Sequence, residues 1–197
     1  MVKEPRKKAS KKGLILQKAA TMFRQRGFAA TSMRDLAETV GIEAASLYNH
    51  IRSKNEILEA ICFEVANDFN AHMDQVEASA APALQRIEQV LRFHIRQMID
   101  NFEQVYVSDR EWKHLEEPYL SNFHTQRRTY RQRFAALIEG GIARKEIRPI
   151  DAPTVVLLML HAIGGIESWH RSKKKINARE LEDHMISFLI GGLRKND

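Results

Sequence analysis

Apolar residues recur at three- and four-residue spacing along almost the whole chain, and no stretch sustains the alternation of a half-buried strand. Asn-Gly hairpin signals are absent as well. Such a chain can hide its apolar side only by packing helix on helix, so the expected fold class is all-α, with about nine helices. With 197 residues and 44% hydrophobic content it can build a sizeable core without staples. Cys62 is the only cysteine, so no intrachain disulfide can form.

Helix punctuation divides the first third finely. Leu16, Ala19, Ala20 and Phe23 share one face of a first helix that stops at Gly27. Thr31 and Ser32 offer an N-cap for a short second helix, which buries Met33, Leu36, Ala37 and Val40 and closes at Gly41. A third short helix is expected from about Ile42 to His50. Ser53-Lys54-Asn55-Glu56 reads as a capping box opening a longer helix with Ile57, Ile61, Val65 and Phe69 inward.

Longer helices follow. Leu84, Ile87, Leu91, His94, Met98 and Phe102 form one stripe after Pro82, and a short helix holds Trp112. Tyr119, Phe123, Tyr130, Phe134 and Leu137 form the next stripe, up to Gly140-Gly141. Asp151 caps a helix from 151 to 171 with Pro153 in its first turn, and Asn177 caps the last one, which ends near Gly191-Gly192.

The third short helix poses the functional question. Ser46, Tyr48, Asn49 and His50 crowd it, leaving little besides Leu47 and Ile51 to bury. Polar side chains so placed need a partner outside the fold. Two short helices joined through a glycine, behind a supporting helix, make a helix-turn-helix whose second helix lies in the major groove. Charge points the same way. Residues 1 to 60 hold 12 Lys or Arg against 6 Asp or Glu, while the remainder balances at 19 against 19. The excess suits a polyanion. Lys3, Arg6, Lys7, Lys8, Lys11 and Lys12 supply half of those cations, as a flexible arm on a DNA backbone or as a solvated tail.

The run "TSMRDLAETVGIEAASLYNHIRSKNEIL" resembles the DNA-binding segment of TetR-family bacterial repressors, through Thr31-Ser32, Arg34-Asp35-Leu36-Ala37, Gly41, Leu47-Tyr48, His50 and Lys54. The resemblance spans about residues 10 to 57. It implies that Arg34 approaches a base or phosphate, that Ala44, Ala45, Ser46 and Asn49 face the groove, and that Thr31, Tyr48, His50 and Lys54 hold the backbone. Three positions depart from the family pattern: Glu43 where a capping serine is frequent, Asn49 where an aromatic is common, and Ile51 where phenylalanine is common. Glu43 would repel phosphates unless it caps the helix or meets a cytosine amine.

The expected organisation is a basic arm over 1–9, a helix-turn-helix domain over 10–57, and a ligand-binding and dimerisation domain over 58–197. The resemblance implies a homodimer through the last two helices, matched to a palindromic operator in double-stranded DNA. Independently, the 151–171 helix is apolar around much of its circumference, and Leu181, Met185, Phe188, Leu189 and Gly192 share one side of the last helix. Together these exceed what one chain needs to cover; the alternative is a monomer with a larger private core.

For a ligand, polar residues on apolar stripes are the candidates. Arg127 lies between Phe123, Tyr130 and Phe134, and His94 between Leu91 and Met98. Each needs an internal partner or a ligand group. The segments "RQRFAALIEGGIARKEIRP" and "LHAIGGIESWHR" are similar to C-terminal regions of TetR relatives that sense acyl-coenzyme A thioesters. That similarity implies an acyl chain among Phe102, Trp112, Phe123, Tyr130 and Phe134, with Arg127 and its neighbours near the coenzyme phosphates. Other readings are a multidrug sensor, another apolar ligand, a packed core without one, or a nucleoid-type DNA binder.

No Gly-rich phosphate loop, GxSxG elbow, HExxH pair or CxxC occurs, and the histidines show no metal-ligand spacing, so neither an enzyme nor a metal or cofactor site is expected. The longest apolar run, Val155 to Leu160, falls short of the roughly 20 residues that span a bilayer. The charged N-terminal segment lacks the apolar core of a secretion signal, which points to a cytoplasmic protein without a membrane segment.

Overall fold

The computed structural model describes residues 10–172 and 176–194. The expected arm over 1–9 lies outside them. Among the described residues there are no strands. Ten α-helices and one 3-10 turn follow in order: α1 (Lys11–Arg26), α2 (Met33–Val40), α3 (Ala44–Tyr48), α4 (Lys54–Glu77), α5 (Ala83–Asp100), α6 (Phe102–Arg110), η1 (Trp112–His114), α7 (Tyr119–Ala143), α8 (Ala152–Gly164), α9 (Ile166–Arg171) and α10 (Ala178–Gly191). Taken as one helix broken at Gly165, α8 and α9 give the expected nine.

The chain forms two compact units. Among the described residues, the first takes those from Ser10 up to Val65 together with Glu103–Phe123; the second takes Ala66–Phe102 and those from His124 onward. The α6–η1 segment therefore belongs with the helix-turn-helix. The joining bonds link residues far apart in sequence, Glu111 with Phe28 and Glu103 with Arg24.

In the first unit, α1 starts at Ser10, whose hydroxyl accepts from the Gly13 N–H at 3.0 Å. It buries Ile15, Leu16, Ala19, Ala20, Met22 and Phe23. Ser32 and Asp35 form a reciprocal capping box on α2, which ends at Gly41 in the left-handed region with φ 78°. The third helix is shorter than expected, five residues instead of Ile42 to His50. Ser53 caps α4 by accepting from the Glu56 N–H at 3.1 Å. Glu56 reaches back to the N–H of Arg52 at 2.7 Å instead of to Ser53, a one-residue variant of the expected box.

The second unit packs α5 against α8, α9 and α10. Ile87, Val90, Leu91 and Ile95 of α5 are fully enclosed. Across from them lie Val156, Met159 and Ile163 of α8, and Ile186, Leu189 and Ile190 of α10. Glu182 is buried on that apolar stripe, where it accepts from Arg92 at 2.8 Å and Arg96 at 2.9 Å. Burial alone would raise its pKa, but the two guanidinium groups outweigh burial and hold the carboxyl below its ordinary value. Gly141 does not stop α7, as the sequence suggests; it permits a close approach. A Cβ there would stand 2.5 Å from Ile147 Cδ1 and 2.8 Å from the Ala83 Cβ.

An 18-residue window within Ala152–Arg171 has a mean hydropathy of 1.3, long and apolar enough by those measures alone to cross a bilayer. It does not stand free: the helix breaks at Gly165, and both halves pack on α5. Exposed apolar side chains remain on both α8 and α10: Leu157 and Leu158 at 47% and 65%, and Phe188 at 80%.

Candidate nucleic-acid interface and ligand-side residues

Leu47 is the anchor of α3, fully buried, and Ile51 behind it is buried at 1% exposure. With these two side chains inward, Ala44, Ala45, Ser46, Tyr48, Asn49 and His50 are all exposed. Tyr48 is exposed at 52%, although a tyrosine beside an apolar helix would ordinarily lie against it. Arg34, in the first turn of α2, is exposed too. Ser46 and His50, one turn apart, line a shallow cavity of about 150 Å³ with Lys11, Leu14, Ile15, Val40 and Ile42. Glu43 occupies the N-cap position of α3 but makes no capping bond, so its carboxylate stays free of the role a serine would play there.

Two predicted backbone-holding residues are placed differently from the rest. Thr31 is buried at 2% exposure, and its hydroxyl donates to the Gly27 carbonyl at 3.0 Å. The Lys54 ammonium donates to the Phe28 carbonyl at 2.8 Å and the Ala29 carbonyl at 3.3 Å, and sits 4.4 Å from the centre of the Phe28 ring. Both therefore brace the turn between α1 and α2. An ammonium carries three donors, so Lys54 keeps one for a further acceptor.

The predicted ligand-side residues fall into two groups, one in each unit. In the first, Trp112 and Phe123 have ring centroids 6.1 Å apart, and Phe63 meets Phe123 edge-on at 5.6 Å. In the second, His94 and Tyr130 share a hydrogen bond of 2.8 Å between Nε2 and the phenol oxygen. Phe69 lies 4.4 Å from the His94 ring, and Phe134 is fully buried. Phe102 stacks on His170 at 4.1 Å, while Arg127 is half-buried. The internal partner a core histidine requires is thus Tyr130.

Burial, aided by His72, pushes His94 down to about 3, and burial raises Tyr130 well above the ordinary phenol value. The pair is neutral at physiological pH. His72 is lowered by burial as well; it stacks on Phe93 at 4.1 Å, and its Nδ1 has no hydrogen-bond partner among the described residues.

The unfolded chain protonates its histidines near 6.5 whereas the fold keeps His94 neutral, so stability is intact above that pH and falls as pH drops toward 3. Between pH 7.5 and 5.0 the expected loss from His94 is about 2 kcal/mol. Urea unfolding at the two pH values checks this: His94→Gln should flatten the pH dependence by about that amount.

Arg133 and Glu111 were not singled out by sequence reasoning as partners of particular groups. Arg133 spends every guanidinium nitrogen on α4, donating to Glu77 at 2.9 and 2.6 Å, Asp74 at 2.5 Å and Asn70 at 3.3 Å. Three acceptors at 70, 74 and 77 on one helix face were a signal available in the sequence. Glu111 accepts from the Phe28 N–H at 3.2 Å, which nothing local foretells.

A short helix anchored by one buried leucine, its other side chains offered to solvent behind a capped α2, is a helix-turn-helix reader attached to a larger helical unit. Residues 15–61 match the family described as bacterial regulatory proteins, tetR family, and residues 80–193 match the Tetracyclin repressor-like C-terminal domain. The chain belongs to the TetR family of bacterial regulatory proteins. It is 24% identical over 194 residues to the HTH-type transcriptional repressor KstR2 of Mycolicibacterium smegmatis, covering 98% of this chain and 95% of that one. Its fold is that of the ketosteroid transcriptional regulator KstR2 of Mycobacterium tuberculosis, with a TM-score of 0.88, 24% identity, and 96% and 98% of the two chains covered. AibR, solved in complex with isovaleryl coenzyme A and operator DNA, matches with a TM-score of 0.80 and 21% identity over 92% of this chain and 98% of that one.

Proposed function

We propose that this protein is a cytoplasmic transcriptional repressor that binds a palindromic operator as a two-fold dimer and leaves it when an acyl-coenzyme A thioester binds the second unit. The observation carrying the DNA reading is the outward set on α3, held by the buried Leu47. Asn49 suits a bidentate contact with adenine, Ala44 and Ala45 suit thymine methyls, and Tyr48, Ser46, His50, Arg34 and Lys54 suit phosphates. Of the two escapes from phosphate repulsion open to Glu43, the cap is unused, which favours an accepting contact with a cytosine amine.

The relatives support the repressor role, since KstR2 carries that name in its own organism. AibR supports the ligand class, as it holds isovaleryl coenzyme A. In this chain the neutral His94–Tyr130 pair suits an uncharged polar group such as a thioester carbonyl. Arg127 and its cationic neighbours suit the coenzyme phosphates. Such a ligand releases DNA only by its preference for the protein state that reads the operator poorly.

The experiment is a competition on a pre-formed DNA complex, followed by fluorescence anisotropy at fixed salt. Acyl-coenzyme A thioesters of graded chain length are compared with the matching free acids and with coenzyme A alone. Release by a thioester at concentrations where acid and coenzyme fail is the expected result. Equal release by the free acid, or release by none, would remove the thioester.

A further inference from the structure

Phe28 is held from two sides by parts of the chain that meet nowhere in sequence. Its carbonyl accepts from Lys54 at the start of α4, and the same ammonium lies over its ring. Its N–H donates to Glu111 just before η1, and the His114 ring stacks on its ring at a centroid distance of 5.3 Å. A third tie joins α1 to the start of α6, where Arg24 and Glu103 pair at 3.2 Å. Phe28 is buried at 6% exposure, and the turn around it is held tightly: Gly27 takes φ 85°, and Thr31 donates to its carbonyl. This turn delivers the chain into α2 and α3, which carry the outward residues.

We propose that Glu111 is a positioning residue that couples the α6–η1 segment to the reading helices through the Phe28 N–H, so that the head responds to this segment. The inference rests on the DNA-binding reading above. α6 is suited to the task by where it starts: Phe102, its first residue, stacks on His170 in the second unit, and the helix continues as part of the first. A displacement of that start travels along a rigid helix to Glu111. There a short side chain, 18% exposed, acts directly on backbone. Coupling is reciprocal, so DNA held by α3 must in turn alter the α6–η1 segment.

Reciprocity allows a test without an effector. Amide hydrogen exchange over residues 103–116 is measured in the full chain, free and saturated with a duplex from the region upstream of its coding sequence. Wild type, Glu111→Gln and Glu111→Ala are compared. Glutamine keeps an acceptor oxygen for the Phe28 N–H; alanine removes it. DNA should slow exchange in this segment about tenfold in wild type and in Glu111→Gln, an effect that vanishes in Glu111→Ala although that variant still binds DNA within about threefold. Should Glu111→Ala fail to fold, Glu103→Gln, at the more exposed start of the same segment, should shrink the effect instead. No DNA-dependent change in wild type, or an undiminished one in the alanine variant, would overturn the coupling. Failure of wild type to bind any duplex would contradict the DNA reading itself and is scored separately.

Discussion

Glutamate at both Leu158 and Phe188 is expected to convert a dimer into a monomer and to weaken binding to a palindromic duplex by at least about a hundredfold. The two side chains are exposed at 65% and 80% on helices that pack on α5, and Leu157 beside Leu158 is exposed at 47%. Exposed apolar side chains on the last helices suit a symmetric partner, each copy covering those of the other. Glutamates there would be desolvated in the dimer and lie near their symmetry mates, a double penalty. The monomer keeps its fold, because both positions point away from the core. Without the second head, the gain from effective concentration is lost and a half-site alone remains. Light scattering gives the mass and anisotropy the affinity. A variant that stays dimeric would move the interface elsewhere.

Replacing Tyr48 by alanine should cost about 10- to 100-fold in operator affinity, the scale of one good contact, while leaving thermal unfolding nearly unchanged. Two neighbouring side chains divide the work. Leu47 is fully buried and carries the folding of α3; Tyr48, next to it, is exposed at 52% and contributes little to the core. Its ring and hydroxyl are therefore available to a phosphate or a thymine methyl. Circular dichroism melting together with anisotropy checks both halves. A fall in melting temperature as large as the fall in affinity would show that Tyr48 supports the fold instead.

Features written in local chemistry were legible in the sequence. Gly27 and Gly41 end their helices with positive φ, Asp151 and Asn177 cap theirs, and the apolar stripes of α1 and α5 face inward at most predicted positions. Local rules erred where a residue had two uses. Gly141 reads as a helix end but serves close packing, since only the fold brings Ala83 and Ile147 against it. Lys54 and Thr31 match a motif, yet much of their bonding capacity goes to the turn at Gly27–Ala29, a partner visible only once α1 and α4 meet. Glu182 stood on an apolar stripe and deserved the suspicion given to His94; its partners on α5 are too distant in sequence for helix spacing to reveal.

The most direct test of the account is equilibrium binding of the full chain to upstream duplex DNA against a scrambled duplex of equal length, repeated across a salt series. Selective binding is expected, tighter by about a thousandfold or more for the upstream duplex, with log affinity falling linearly in log salt as phosphate contacts release counterions. Equal affinity for both duplexes, carried by the salt-dependent part alone, would contradict a sequence-reading α3 and leave only a non-specific binder.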